Sequence, residues 1–307
     1  MQYRHLTYIL KIAEEKNISL AAQKLYISQP SLSQFLQKIE KDIGCPLFDR
    51  STTPLHPTYI GEMYLETARK ILDLDEQFCQ QVDDVLHLHR GKLTIGSSPF
   101  RSTYLLASFL PIFQQEYPAI SLELIENTTI HLESLAQSGE VDVSISLLPI
   151  STHNFSYAPL FEEELLLALP PAHPLCQKYH LQPGQMDCLP AIELKALKTT
   201  PFILMDREQK LHHHLLKLCQ QAGFIPQIQL ETQSMDTAHA LSGAGIGATV
   251  LPDTLLKAVH LHRPPCYARL TAHPHRTVII TWRKDRYLSH AAKAFIASLQ
   301  NFYQKPE

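Results

Sequence analysis

The sequence predicts an α+β protein of several domains: an N-terminal winged helix-turn-helix, a long linker helix and a two-lobed α/β body. Three observations lead there. Three short helical patterns and a small two-stranded excursion fill residues 1–58, a proline-free amphipathic stretch runs from Tyr59 to about Leu88, and strand and helix patterns alternate beyond residue 90. At 307 residues the chain also exceeds the size at which a single core keeps growing.

From Tyr3 to Glu15, Leu6, Ile9, Leu10, Ile12 and Ala13 recur at helical spacing and give one buried face. Ser19 is placed to cap a short second helix carrying Leu20, Ala21, Ala22 and Leu25, in which the alanine pair permits close packing. Ser28 is placed to cap a third, with Pro30 in the first turn, where its missing N–H costs nothing, and Gly44 as the stop. Leu32, Leu36, Ile39 and Ile43 stripe its inner side, leaving Gln29, Ser31, Ser33, Gln34, Gln37, Lys38 and Lys41 outside. In CPLFDRSTTPLHPT, Leu47 and Phe48 are expected to bury, Arg50 to point out, and 51–54 to turn, as in a wing. Ile71, Leu74, Phe78, Val82 and Val85 then form a seam long enough to want a partner helix, most simply its own copy.

Beyond Arg90-Gly91, strands are expected at 92–96, 121–125 and 141–147, with helices over 104–116, kinked by Pro111, and 130–138. A mostly parallel sheet is implied. A second unit starts near Leu165–Leu169 and continues through strands at 201–205, 228–231 and 247–250 and helices at 211–222 and 235–243. A strand at 277–282 and a closing helix at 289–303 return to the first lobe, so lobe I spans about 90–161 and 267–307 and lobe II about 162–266.

Bulk properties narrow the function class. No apolar run approaches the ~20 residues that span a bilayer, and the N-terminus mixes charges into its apolar positions, unlike a secretory signal, so a cytoplasmic protein without membrane contact is expected. Six cysteines are scattered with no CxxC pair. A net charge of −3 confines any nucleic-acid contact to a local surface, and the first 59 residues carry seven Lys/Arg against five Asp/Glu.

The segment SLAAQKLYISQPSLSQFLQKIEKDIG, the wing start CPLFDR and the long helix after Thr58 together resemble a LysR-type transcriptional regulator. In the body, GKLTIGSS, LPIFQQEYPAISLEL, LAQSGEVDVSI, ALPPAHPL and LSGAGIGATVLP are similar to that family's effector-binding half, a periplasmic-binding-protein-like domain. The resemblance implies a homo-oligomer, dimer or tetramer, whose paired heads sit on double-stranded promoter DNA while a small-molecule effector alters their spacing. RNA polymerase stands as a candidate partner, and no cofactor is implied. Gln29, Gln34 and Gln37 can offer paired donors and acceptors to adenine edges; Pro30 shares their first turn; Ser31, Ser33, Lys38 and Arg50 better suit phosphates. Gln34 and Thr53 stand where the family often has arginine.

In a two-lobed α/β body, ligands bind between lobes at strand C-termini and helix N-termini. Ser97, Ser98, Thr128 and Thr129 hold such positions and by resemblance are effector contacts, joined by Met205, Asp206 and Gly247 from the second lobe. Arg101 could meet a carboxylate effector or the solvent. Asp206 would repel an anion unless paired with Arg207 or turned away, which leaves the ligand's charge open. His212, His213 and His214 point three ways on a helix, and with the His-x-His pairs at 260/262 and 273/275 they do not make a convincing metal site. No nucleophile elbow, P-loop or HExxH supports an enzyme, and a transport solute-binding protein is opposed by the attached winged helix.

Overall fold

A computed structural model describes residues 3–51, 54–86 and 91–304 of the chain. The wing-tip Thr53 and the junction at Arg90 lie outside the described residues. The chain divides into two compact units, Met1–Leu86 and His87–Glu307.

The first unit opens with α1 (Tyr3–Glu15), which buries Leu6, Ile9 and Ile12. The next helix, α2 (Ile18–Lys24), is capped by Asn17 and not by Ser19. Asn17 is the extended residue before the helix, and its Oδ1 accepts from the N–H groups of Ser19 and Leu20 at 2.8 and 3.1 Å. Ser28 caps α3 (Gln29–Ile43) through the Ser31 N–H at 3.3 Å, and Gly44 ends it at φ +90°, a conformation that favours glycine. Leu32, Leu36 and Ile39 are buried, but Ile43 is exposed, because the last turn runs past the edge of the core.

The short strands β1 (Phe48–Asp49) and β2 (His56–Pro57) pair antiparallel as the wing. Along α4 (Tyr59–Leu86) two faces follow in succession. Tyr64, Leu65 and Ala68 join the core of α1 and α3, so this helix belongs to the same compact unit as the winged head. Farther along, Ile71, Leu74, Phe78 and Val82 are exposed, while the Val85 side chain lies outside the described residues.

The second unit runs β3 (Gly91–Ser97), α5 (Pro99–Arg101), a π turn (Ser102–Leu106), α6 (Ala107–Glu116), β4 (Ile120–Glu126), α7 (Thr129–Ser138), β5 (Val143–Leu147) and β6 (Phe155–Leu169). It continues with α8 (Pro174–Lys178), β7 (Ala191–Ile192), β8 (Pro201–Met205), α9 (Lys210–Gln221), β9 (Gln227–Thr232), α10 (Met235–Gly243), β10 (Thr249–Pro252), α11 (Asp253–Ala258), β11 (Cys266–Leu270), β12 (His275–Arg283) and α12 (His290–Gln304). The irregularity in the first long helix of this unit is the π turn, one turn ahead of the expected kink at Pro111.

The main sheet has the order β4-β3-β5-β12-β6-β11-β7, with β10 also on β6. It is mixed rather than mostly parallel: β4, β3 and β5 are parallel, but β12 lies antiparallel to both β5 and β6. The cause is the 15-residue β6, which begins at Phe155, ten residues before the strand expected at 165–169. Its first part pairs with β12, and Leu165–Leu169 pair with β10 and β11, so a single strand serves both lobes. Lobe I packs Leu93, Ile95, Phe109, Phe113, Ile280 and Phe295. Lobe II packs Phe202, Leu204, Leu215, Val250 and Leu251, with β8 and β9 paired parallel at its side.

Candidate functional site

In the first unit α3 presents an open polar face. Gln29, Pro30, Ser31, Gln34, Gln37 and Lys38 are exposed, and Ser33 is half-buried. They emerge on one side because the buried stripe Leu32, Leu36, Ile39 fixes the helix's rotation. Gln29 Nε2 donates to Ser33 Oγ at 3.0 Å, and the hydroxyls of Ser28 and Ser31 are 2.8 Å apart, so the first turn is held in order before any contact.

Arg50 is not free: its Nη2 donates to Glu40 Oε2 at 2.7 Å. The other oxygen of Glu40 accepts from the Leu47 N–H at 2.9 Å, so this carboxylate of α3 ties the wing to the helix. Sequence reasoning missed Glu40, whose partners are set by the tertiary fold, and Tyr26, which is 95% exposed at φ +56° in the turn before α3. An aromatic residue in a left-handed turn conformation was the available signal for Tyr26.

In the second unit a cavity of about 560 Å³ opens between the lobes. Of the predicted effector set, Ser98, Arg101, Thr128 and Thr129 line it. Ser98 Oγ accepts from the Arg101 N–H at 3.3 Å. Thr128 is the N-cap of α7, and its hydroxyl is 2.8 Å from His131 Nδ1 rather than on the helix's own N–H groups.

Ser97, Met205, Asp206 and Gly247 do not line the cavity, each for its own reason. Ser97 is fully buried with its Oγ donating to the Ser98 carbonyl at 3.3 Å. Met205 points into the lobe II core. Asp206 turns away and accepts from the Glu208 N–H at 3.0 Å, while Arg207 lies 3.7 Å from Glu231. At Gly247 a Cβ would stand 2.7 Å from the Pro201 carbonyl oxygen, so the glycine serves the close packing of β8.

The second lobe instead contributes Glu208, Gln209 and Lys210 at the start of α9 and Gln233, Ser234 and Asp236 around the start of α10. Two side chains bridge the lobes at the cavity. Lys210 Nζ reaches Glu133 Oε1 at 2.9 Å and the Leu147 and Pro149 carbonyls at 3.1 Å each. Tyr104 donates a short hydrogen bond to Asp236 Oδ1, and burial together with that carboxylate pushes the phenol's pKa up to about 12.

Beneath the cavity lies a buried charge cluster. Arg101 grips Glu163 with both guanidinium nitrogens, Nη1 to Oε2 at 2.8 Å and Nη2 to Oε1. Arg276, from β12, donates its Nε to Oε1 at 2.8 Å, and Thr254 Oγ1 donates to Oε2 at 2.9 Å. Burial alone would raise the Glu163 pKa, but the Arg276 and Arg101 charges and the hydrogen bonds from Arg101 and Thr254 outweigh it and hold the carboxyl at about 2. Arg101 thus lines the cavity with its guanidinium already paired to Glu163 and turned away from solvent.

Among the described residues no group of three His, Cys, Asp or Glu is set to hold a metal. The three consecutive histidines diverge: His212 is buried with Nδ1 2.7 Å from the Met205 carbonyl, His213 is exposed and His214 half-buried. The same residues contain no helix long and apolar enough to cross a membrane.

Both units have counterparts among known proteins. Residues 3–62 match the family model described as bacterial regulatory helix-turn-helix protein, lysR family, and residues 87–304 match the LysR substrate binding domain. The uncharacterized HTH-type transcriptional regulator YcgK of Bacillus subtilis is 29% identical, over 96% of this chain and 93% of its own length. A probable RuBisCO transcriptional regulator of Synechocystis sp. is 30% identical, over 97% of this chain and 86% of its own. Full-length CbnR, solved in complex with its target DNA, shares the fold at a TM-score of 0.68 and 22% identity, over 98% of this chain and 99% of that one.

Proposed function

Because the chain belongs to the family of LysR-type transcriptional regulators, DNA-binding proteins that carry a substrate-binding domain, we propose that α3 and the wing read its operator and that an effector fills the cavity between the lobes. It is a regulator and not an enzyme. The observation that carries the reading is the α3 face: amides and hydroxyls stand outward on a helix whose apolar stripe is locked in the core. Such a helix fits the major groove, where glutamine can bond adenine edges and lysine can neutralise phosphate.

Gln29, Gln34 and Gln37 are assigned to bases and Ser31, Ser33 and Lys38 to phosphates, with Pro30 shaping the first turn. Arg50 adds a phosphate contact by leaving Glu40 or by reaching past it. For the effector, Ser98, Thr128 and Thr129 of lobe I are supported by their place on the cavity wall. Family members form oligomers, and the exposed seam of α4 supports a two-fold pair of helices; the choice between dimer and tetramer belongs with this proposal, as do a cytoplasmic setting and RNA polymerase as a further partner. The test is a thermal-shift screen of the full chain against metabolites, followed by footprinting upstream of its own gene with and without the hit. A hit that alters the footprint is the expected result; failure to bind any duplex would overturn the reading.

A further inference from the structure

The floor of the cavity holds two buried polar groups whose hydrogen-bonding capacity the protein itself leaves unused. Ser146 on β5 is 95% buried, and its Oγ has no hydrogen-bond partner among the described residues. Arg276 is 93% buried; its Nη2 lies 2.5 Å from Glu163 Oε1 without making an aligned hydrogen bond, and that nitrogen has no other partner among the described residues. Both residues line the cavity. Desolvated donors of this kind are costly unless something bonds them, and a serine hydroxyl and a guanidinium N–H are both donors to an oxyanion.

The charge of the floor agrees. Two guanidiniums, Arg101 and Arg276, share the single carboxylate of Glu163, so one positive charge is left over in a place sheltered from water. Of the neighbouring acids, Asp253, whose charge also reaches Arg276, is matched by Lys257 at 2.6 Å, and Glu164 by Arg269 at 3.2 Å. The acids of the cavity stand at its lobe II side, where Asp236 is held by Tyr104 and Glu208 is mostly exposed.

We propose that the effector carries an anionic group, a carboxylate or a phosphate- or sulfate-type oxyanion, seated on Arg276 and Ser146. The inference rests on the cavity being the effector site and goes on to name its ligand class and the two residues that select it. The surplus charge of the floor is then balanced only in the liganded protein.

Thermal shift and isothermal titration of the full chain with succinate, inorganic phosphate and sulfate, and with succinamide as the uncharged counterpart, test this. At least one anion is expected to bind with at least tenfold preference over succinamide, and which one binds separates carboxylate from inorganic oxyanion. Arg276→Gln and Ser146→Ala should each weaken that anion tenfold or more. Arg276→Gln leaves a one-to-one pair of Arg101 with Glu163, and Ser146→Ala removes an unbonded hydroxyl, so Ser146→Ala decides should the arginine variant not fold. Equal binding of succinamide, binding unchanged in both variants, or no binding of any of the three anions overturns the proposal. A neutral metabolite that emerges from the wider screen and competes at Thr129 would overturn the anion class yet leave the cavity reading standing; a footprint that responds to a metabolite bound elsewhere would sink the cavity reading instead.

Discussion

Glu163 illustrates how much one side chain can hold. Its substitution by glutamine leaves two buried guanidiniums facing each other without a counter-charge, and breaking such a pair typically costs about 3–5 kcal/mol. Urea unfolding of Glu163→Gln should show a loss of that order, and a change under about 1 kcal/mol would mean the cluster is not buried as described. The pH dependence follows from the direction of the shift. A carboxyl held near 2 when folded and near its ordinary value when unfolded adds stability that is full at neutral pH and drains as pH falls through the ordinary carboxylate range toward 2. Wild-type stability should therefore decline across that window more steeply than that of Glu163→Gln. At the DNA face, Gln34→Ala should relax base preference by ~1–3 kcal/mol if it reads a base bidentately, whereas Lys38→Ala should weaken all sequences alike and lower the salt slope by about 1. Footprints unchanged in Gln34→Ala would remove it from the reading set. Ser98, Thr128 and Thr129 could be picked from sequence because strand-to-helix junctions are local signals. Arg276 and Ser146 could not: Arg276 lies 113 residues from the carboxylate it pairs with, and no local pattern marks a hydroxyl within β5 as a cavity residue.

At the scale of elements, α4 is the part whose design is plainest. Its first half is buried against the head, and its second half leaves Leu74 and Phe78 about two-thirds exposed, an apolar cost that a monomer has no reason to carry. Leu74→Lys combined with Phe78→Lys should shift the chain to monomer in sedimentation velocity and weaken operator binding together; an unchanged sedimentation coefficient would exclude this seam as the interface. Periodicity was sufficient to find α1 and α3, since each exposes one polar side over several turns, and α4 by its apolar recurrence, although the second half of α4 exposes Leu74 and Phe78 and buries Asp73, Gln77 and Asp84. It was less able to place caps: Asn17 and Ser19 are both good capping residues, and only the extended backbone of Asn17 decides between them. It also misjudged β6, because a strand buried among neighbours reads as two separate apolar runs interrupted by Glu162, Glu163 and Glu164, whose purpose appears only with their partners in place.

For the molecule as a whole, the two-lobed plan was legible because strand and helix patterns alternate twice, yet the mixed sheet was not, since the antiparallel return of β12 beside β6 is a long-range choice. The same distance hid the bonds from Lys210 to Glu133 and from Tyr104 to Asp236. Replacing both donors, Lys210→Ala with Tyr104→Phe, should speed amide hydrogen exchange in the first turns of α9 and α10 several-fold, and unaltered exchange there would show that the lobes are held by other means. Among the described residues the polypeptide crosses between the lobes along β6 and again through the turn at 271–274 that joins β11 to β12, both of which pair with β6. One strand and one short turn are few covalent ties for two lobes. A ligand that bridges the cleft is therefore expected to act by changing the angle between the lobes.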